Sequence, residues 1–462
     1  MDRRSVSGTL PGALAAQAIA RGRFDMQHRY RSVVMDAERS EGVWLQDLDG
    51  NIFLDLFGSF ALGALGYNHP ALLATASSPA FARAAANPTS TPFLTAPDWL
   101  EFVHRVQERW APAGMGSMYC VDGGGEGVES ALKAAFIVHG EARRRRAGRS
   151  PDPLQMDADE QAAWMDNRGT DAVVVAFEGA FHGRGLGPLS ATHSKLLHKA
   201  DLPAFPWPTV PFPANRWPLA DNAEHNAREE ARCLVELERA LDAHAGRVAA
   251  VIVEPIQSEG GDRHASPAFY QAVQRLAGQA GAAFVLDEVQ TGVGTSGRLW
   301  AVEHLQLPRP PDLLCFGKKM QMGGFFSTPE FAITRFGRMY QTRNGDRCKA
   351  QLAQTVLQTI EVEDLLANVR QTGALLLEGL EQLCRRHPGL LSQARGRGFL
   401  LAFDLPTAAA RDEFNRRALA RGVFATYTGS RSVRLRPHLV TRPEHAEIAL
   451  SVFADVAAEL DG

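Results

Sequence analysis

Short, wholly apolar runs that stop abruptly at charged residues dominate the middle of the 462-residue chain. Ala172–Phe177 ends at Glu178, Val248–Val253 at Glu254, Ala282–Leu286 at Asp287, and Leu313–Phe316 just ahead of Lys318 and Lys319. Runs this short with no polar alternation predict strands buried on both faces, and therefore a parallel sheet under helices. Phe269–Ala280, between two of these runs, has helical spacing and predicts a crossover that makes parallel strands adjacent. Ligands of open parallel sheets bind beyond the carboxyl ends of the strands. On this pattern those ends carry Glu178, Glu254, Asp287 and Lys319.

The flanks have a different rhythm. Gly42–Leu56 predicts a β-hairpin turning at Asp49 and Gly50. Beyond about residue 349 the pattern is mostly amphipathic helix, with strand-like pieces at Gly398–Asp404 and Ser432–Leu435. The organisation expected is α/β: a large domain over 76–348, and a smaller α+β domain built from 1–75 and 349–462. The Ala-rich stretch Leu10–Ala20, interrupted by Gln17, reads as a short N-terminal helix rather than a secretory signal. Arg143–Arg146 reads as a solvated helix end, and the Pro- and aromatic-rich Asp201–Trp217 as an ordered surface loop. No apolar run approaches the ~18 residues of a membrane span.

Composition narrows the function classes. A hydrophobic fraction of 45%, a charged fraction of 22% and a formal charge of −3 exclude wholesale disorder and give no support to a nucleic-acid binder. Cys120, Cys233, Cys315, Cys348 and Cys384 are odd in number and scattered, with no CxxC pair. Neither a disulfide framework nor a metal site is indicated, and a reducing, cytoplasmic setting is expected.

Lys319 follows a buried strand, where burial favours a neutral amine able to form a Schiff base; a salt-bridged lysine is the alternative, and Lys318 is a rival. Asp287, 32 residues earlier, would be costly to bury unpaired. A protonated pyridine nitrogen is one partner for it, an ion pair within the core another. Pyridoxal phosphate (PLP) uses such a lysine and such a carboxylate. Asp122–Gly127 (DGGGEG) precedes the helical Val128–Phe136, and a glycine-rich turn entering a helix offers backbone N–H groups to a phosphate. Glu126 would repel that phosphate unless it pointed away. In Gly179–Arg184 (GAFHGR), Phe181 suits a planar ring and Arg184 a carboxylate. Glu254, Glu259, Arg434 and Arg436 supply further charges, equally compatible with structural ion pairs.

Taken together, Leu286–Gly292 (LDEVQTG) and Phe316–Gly324 (FGKKMQMGG) resemble the signature of the class III, or ω-amino acid, aminotransferases of PLP fold type I. Within the class, Thr192–Lys195, Glu229–Leu234, Glu254–Asp262 and Gly323–Phe326 are most similar to the eukaryotic-type 4-aminobutyrate aminotransferases. The L-lysine 6-aminotransferases are close to these. The resemblance, from about Gly42 onward, implies a mostly parallel central sheet covered by helices, PLP as cofactor, and an ω-amino donor with 2-oxoglutarate as acceptor. It implies Lys319 as the Schiff-base lysine, Asp287 as the ring-nitrogen partner and Gln290 as donor to the phenolic oxygen. Phe181, His182, Glu254 and Val289 would surround the ring, and Gly124 and Gly125 would hold the phosphate. Thr342 would reach the phosphate of a neighbouring subunit, which implies a homodimer. Phe60 and Arg184 would line the substrate site. Glu259 and Arg436 would form a switch, with Glu259 masking the arginine until a second substrate carboxylate needs it.

Several positions depart from the family pattern. Gly123 and Glu126 stand where the animal enzymes carry two cysteines of an interface iron–sulfur cluster, so no cluster is expected. Gly125 replaces a serine, Gln341 and Arg343 flank Thr342 in place of Asn and Trp, Phe60 replaces a smaller aliphatic residue, and Tyr427 sits in a usually glycine-rich loop. A non-catalytic PLP-fold binding protein is the reading from another class. The combined presence of Lys319, Asp287, Arg184, Glu259 and Arg436 argues against it, because a binder needs no such set. A PLP decarboxylase or racemase is a further alternative, but a two-arginine site with a Glu switch suits two alternating substrates.

Overall fold

The computed structural model describes residues 1–22, 25–26, 33–91 and 93–461. An N-terminal helix, Ala13–Arg21, occupies the Ala-rich stretch. Strands β1 (Trp44–Gln46) and β2 (Ile52–Asp55) pair antiparallel, with Trp44 opposite Leu54. Asp47 closes their turn: its Oδ1 accepts from the N–H of Asp49 (3.0 Å) and of Asn51 (2.8 Å).

The central sheet has seven strands: β3 (Ser117–Val121), β4 (Val173–Phe177), β5 (Thr209–Val210), β6 (Val248–Val253), β7 (Ala283–Asp287), β8 (Leu313–Phe316) and β9 (Gly323–Ser327). Their order is β3-β9-β8-β7-β6-β4-β5. From β5 to β8 every neighbouring pair is parallel, and β9 runs antiparallel to both β8 and β3. Every residue of β4, β6, β7 and β8 is buried, which is why those strands read as unbroken apolar runs. The apolar pattern did not reveal β3 or β9. β9 opens with two glycines that packing demands: a Cβ on Gly323 would collide with the Gly123 carbonyl. The helix Gly124–Arg146 lies on this sheet, with Val128, Ala131, Leu132 and Ala135 in one core cluster with Val174, Ile252, Val285 and Cys315. Its last turn is not wholly solvated as expected, because Arg144 is buried and its Nη2 donates to Pro151 O at 2.7 Å. β5 lies within the expected loop Asp201–Trp217.

The remaining strands are β10 (Ser392–Arg397), β11 (Leu400–Asp404), β12 (Val423–Phe424), β13 (Thr426–Thr428) and β14 (Ser432–Leu435). They form the antiparallel sheet β10-β11-β14-β13, and β12 adds in parallel to β2. Two compact units result: Met1–Arg83 with Val293–Leu299 and Gln351–Gly462, and Ala84–Gly292 with Trp300–Ala350. The first takes in 293–299 through long-range hydrogen bonds, Phe399 N–H to Thr295 O and Arg370 Nη1 to Gly297 O, both 2.8 Å, which no local pattern announces. Among the described residues no helix is long and apolar enough to cross a membrane.

Candidate active site

Loops at the carboxyl ends of the central strands converge. Asp287, the last residue of β7, has Cys315 of β8 as its neighbour, and the Glu288 N–H donates to Cys315 O at 2.9 Å. Four residues past Cys315 lies Lys319, 1% exposed. The turn before the long helix reaches the same place. A Cβ on Gly317 would lie 2.9 Å from Gly124 Cα, and one on Gly124 would lie 2.5 Å from Val289 Cγ1. Gly183 closes on Gly125 from the β4 side, where its Cβ would lie 3.0 Å from Gly125 Cα. At Gly317 and Gly183 backbone approaches backbone, and at Gly124 the Val289 side chain packs onto the bare turn.

Asp287 is buried and doubly held: Oδ2 lies 2.8 Å from His182 Nδ1, and Oδ1 accepts from the Val289 N–H at 3.0 Å. His182 Nε2 is buried with no hydrogen-bond partner among the described residues. Glu254, just past β6, accepts from the Phe181 N–H (2.9 Å) and the Ser258 N–H (3.1 Å). Burial, and then the nearby Asp287, push its carboxyl well above the usual range. Glu126 folds back as a helix cap, its Oε2 accepting from the N–H groups of Asp122 (3.1 Å) and Gly123 (3.3 Å). Its charge is thereby turned onto the amides that precede Gly124 and Gly125.

Phe181 is half-buried and Arg184 exposed, the Arg184 guanidinium carbon lying 5.6 Å from the Phe181 ring centroid. Glu259 Oε2 is 3.1 Å from Lys195 Nζ. Lys195 had no role in the sequence reading, although its THSK motif stood out; nothing in that motif gave the distance to Glu259. Gln290 and Val289 follow Asp287 in the same loop, and Thr342 is exposed in a segment whose Asn344 Nδ2 donates to Cys120 O at 2.9 Å. Lys319, Asp287, Glu254, Glu259, Gln290, Val289, Phe181, His182, Arg184, Gly124, Gly125 and Thr342 thus all belong to one unit, whereas Phe60 and Arg436 belong to the other.

The model of the family described as aminotransferase class-III matches residues 26–457. The chain belongs to the class III aminotransferases. It is 39% identical over 425 residues to human mitochondrial 4-aminobutyrate aminotransferase, covering 91% of this chain and 84% of that one. It is 38% identical over 421 residues to 4-aminobutyrate aminotransferase of Schizosaccharomyces pombe, covering 90% and 88%. Among solved structures, the lysine aminotransferase of M. tuberculosis in its internal aldimine form superposes with a TM-score of 0.86 at 30% identity, over 97% of this chain and 100% of that one. Class III aminotransferases are PLP-dependent, and this one is therefore a PLP-dependent transaminase of fold type I.

The residues present fit that cofactor. A buried carboxylate and a buried lysine stand on adjacent strand ends, beside a glycine cradle at the N-terminus of a 23-residue helix. At Gly124 a Cβ would collide with Val289, and at Gly183 with Gly125 and Pro188, so this turn keeps its backbone bare of side chains. A lysine amine, a carboxylate and a helix N-terminus gathered at one end of the sheet match the aldehyde, the ring nitrogen and the phosphate of PLP.

Beside Asp287 in this aminotransferase, Glu288 has a separate, structural function. Its oxygens accept from the N–H groups of Ala301 (2.6 Å) and Val302 (2.7 Å), and burial pushes its carboxyl up to about 8. The folded state therefore binds a proton that the unfolded chain releases near its ordinary value. The contribution is full below that value and is lost as pH rises towards 8, by at most about 1.4 kcal/mol per pH unit. Glu288→Gln is expected to lower stability at every pH, because its NH2 faces one of the two N–H donors, and to flatten the decline between pH 5 and 8. Denaturant unfolding at three pH values would measure that slope; an unchanged slope would rule Glu288 out as its source.

Proposed function

We propose that this aminotransferase moves the terminal amino group of an ω-amino acid, 4-aminobutyrate first, to 2-oxoglutarate, giving succinate semialdehyde and glutamate in a ping-pong cycle. The grouping of Arg184, Lys195 and Glu259 in the unit that holds Lys319 and Asp287 carries this reading. Lys195 Nζ and Glu259 Oε2 pair at 3.1 Å, and the Arg184 guanidinium carbon and the His198 ring lie 5.6 and 5.4 Å from the Phe181 ring. Such a group suits a substrate carboxylate placed beyond the reacting carbon. The identity to 4-aminobutyrate aminotransferases supports the same donor. The likeness to a lysine aminotransferase over nearly the whole chain favours L-lysine, reacting at its 6-amino group, as the second reading.

When bound, PLP supplies an electrophilic carbon and an electron sink. Lys319 serves as the amine that holds the cofactor and then as the base that moves the proton of the amine-bearing carbon. Asp287, oriented by His182, would balance the ring-nitrogen charge, and Gln290 would donate to the phenolic oxygen. Phe181, Val289 and Glu254 would adjoin the ring, and the amides of Gly124 and Gly125 would hold the phosphate. Arg184 orients the donor carboxylate in a bidentate fork.

The test is a donor panel of 4-aminobutyrate, L-lysine, L-ornithine, β-alanine and putrescine with 2-oxoglutarate, reading glutamate. The highest kcat/KM should belong to 4-aminobutyrate; a clear preference for L-lysine would install the second reading. Arg184→Ala is expected to raise the donor KM about tenfold to a hundredfold, the loss of a charged hydrogen-bond pair, while sparing butylamine. Equal effects on both amines would remove the carboxylate role.

A homodimer, with Thr342 serving the neighbouring subunit, belongs to the same proposal. Phe93 and Phe336, 74% and 64% exposed with ring centroids 5.1 Å apart, form an uncovered aromatic cluster, and Phe336 stands shortly before Thr342 in the chain. Covering such a cluster favours association. Sedimentation should give a dimer that Phe93→Ser with Phe336→Ser weakens; a monomeric wild type with full activity would contradict it. A cytoplasmic location belongs to the same proposal, and five scattered cysteines with no CxxC pair suit a reducing compartment.

A further inference from the structure

The turn from β3 into the helix Gly124–Arg146 contains three consecutive glycines, Gly123, Gly124 and Gly125. Glycine loses more backbone freedom on ordering than any other residue, and these three offer no side chain to brace the turn from within. A turn ordered only when its anion arrives subtracts that cost from the affinity. Bracing has to come from the flanks, and the structure shows it on both. On one flank Glu126 caps the N–H groups of Asp122 and Gly123. On the other, a single ammonium clamps Asp122: Lys349 Nζ donates to its Oδ1 at 2.7 Å and to its carbonyl oxygen at 3.1 Å. Arg343, which stands where the family pattern has tryptophan, brings Nε to 3.8 Å from the other carboxylate oxygen.

The clamp is itself held in place. Lys349 lies in the first turn of the helix Arg347–Val362, where the N–H groups of Cys348 (2.9 Å) and Lys349 (3.0 Å) donate to Asp346 Oδ1. Asp346 Oδ2 accepts from Arg343 Nη2 at 2.7 Å, and Asn344 ties the segment to Cys120 of β3. Residues 343–349 thus bracket the strand end and the turn, and all of these groups belong to one unit. Charge adds a second consequence. Asp122 and Glu126 put two carboxylates beside a turn suited to a phosphate; Glu126 faces amides, and Lys349 neutralises Asp122. The Lys349 and Asp122 side chains are 30% and 36% exposed, and an ion pair so open to water adds little to the stability of the fold. Its effect is therefore felt at the turn.

We propose that Lys349, acting through Asp122, is a positioning residue for the cofactor phosphate: it holds the glycine turn in its binding arrangement and cancels a carboxylate that would repel the anion. This rests on the reading of Gly124 and Gly125 as the phosphate site. The experiment titrates full-length protein freed of cofactor with PLP or with pyridoxal, which lacks the phosphate, and reads the visible absorbance of lysine-linked cofactor. Lys349→Met is expected to raise the Kd for PLP about tenfold, the loss of one charged hydrogen-bond pair. The Kd for pyridoxal and the melting temperature of the stripped protein should stay unchanged. Lys349→Met combined with Asp122→Asn should lose no more PLP affinity than Lys349→Met alone. An equal loss for both aldehydes would make Lys349 a general structural residue, and additive losses would break its link to Asp122; either result overturns the proposal. Gly125→Pro removes one turn amide within the first helical turn, where proline is tolerated, and tests the underlying reading. If Gly125→Pro leaves the preference for PLP over pyridoxal intact, the phosphate assignment of the turn falls. If Gly125→Pro lowers that preference and Lys349→Met does not, the positioning role alone falls.

Discussion

Replacing Lys319 by alanine is expected to cut transamination by about 10⁴-fold or more, the sum of a lost nucleophile and a lost general base. The side chain is 1% exposed and stands on the loop that follows β8, beside the strand end that carries Asp287. Purified Lys319→Ala should lack the visible absorbance of lysine-linked cofactor and form no glutamate in a single-turnover assay. Lys318→Ala is the control, because Lys318 is only half-buried, and it should keep that absorbance. A colourless Lys319→Ala protein that still turned over would remove Lys319 from its assigned role.

Asp287→Asn should cost about 10²–10³ in kcat, the usual loss when a preorganised charge partner is withdrawn from a buried site. The reason is visible in its contacts. The carboxylate already accepts from His182 Nδ1 and from the Val289 N–H, so it is oriented before any ligand arrives. Asparagine keeps the size but removes the charge, and its NH2 would face one of those donors. His182→Gln is expected to lose less, because it alters orientation and leaves the carboxylate. Steady-state kinetics at matched cofactor content separates the two; an Asp287→Asn variant within a few-fold of wild type would end the pairing of Asp287 with the ring nitrogen.

The strands of the central sheet were legible to different degrees, for physical reasons. β4, β6, β7 and β8 are buried on both faces, so their sequences carry no alternation and announce themselves. β3 is only half-buried over its first three residues, and β9 begins with glycines chosen for backbone approach, so neither produces an apolar run. The charged strand ends were legible because a carboxylate or lysine after such a run needs a partner. Their partners were not: the match of His182 to Asp287 spans 105 residues and that of Lys195 to Glu259 spans 64.

Sequence by itself determined the α/β class, the buried strands, the residues at their carboxyl ends and the resemblance to class III aminotransferases, because burial and local spacing are properties of short segments. Tertiary structure alone decided which polar atoms meet. It set His182 on Asp287, turned Glu126 onto the amides of its own cap, and brought Lys195 to Glu259. Those choices depend on contacts between distant segments, whose geometry exists only once the chain has closed its loops.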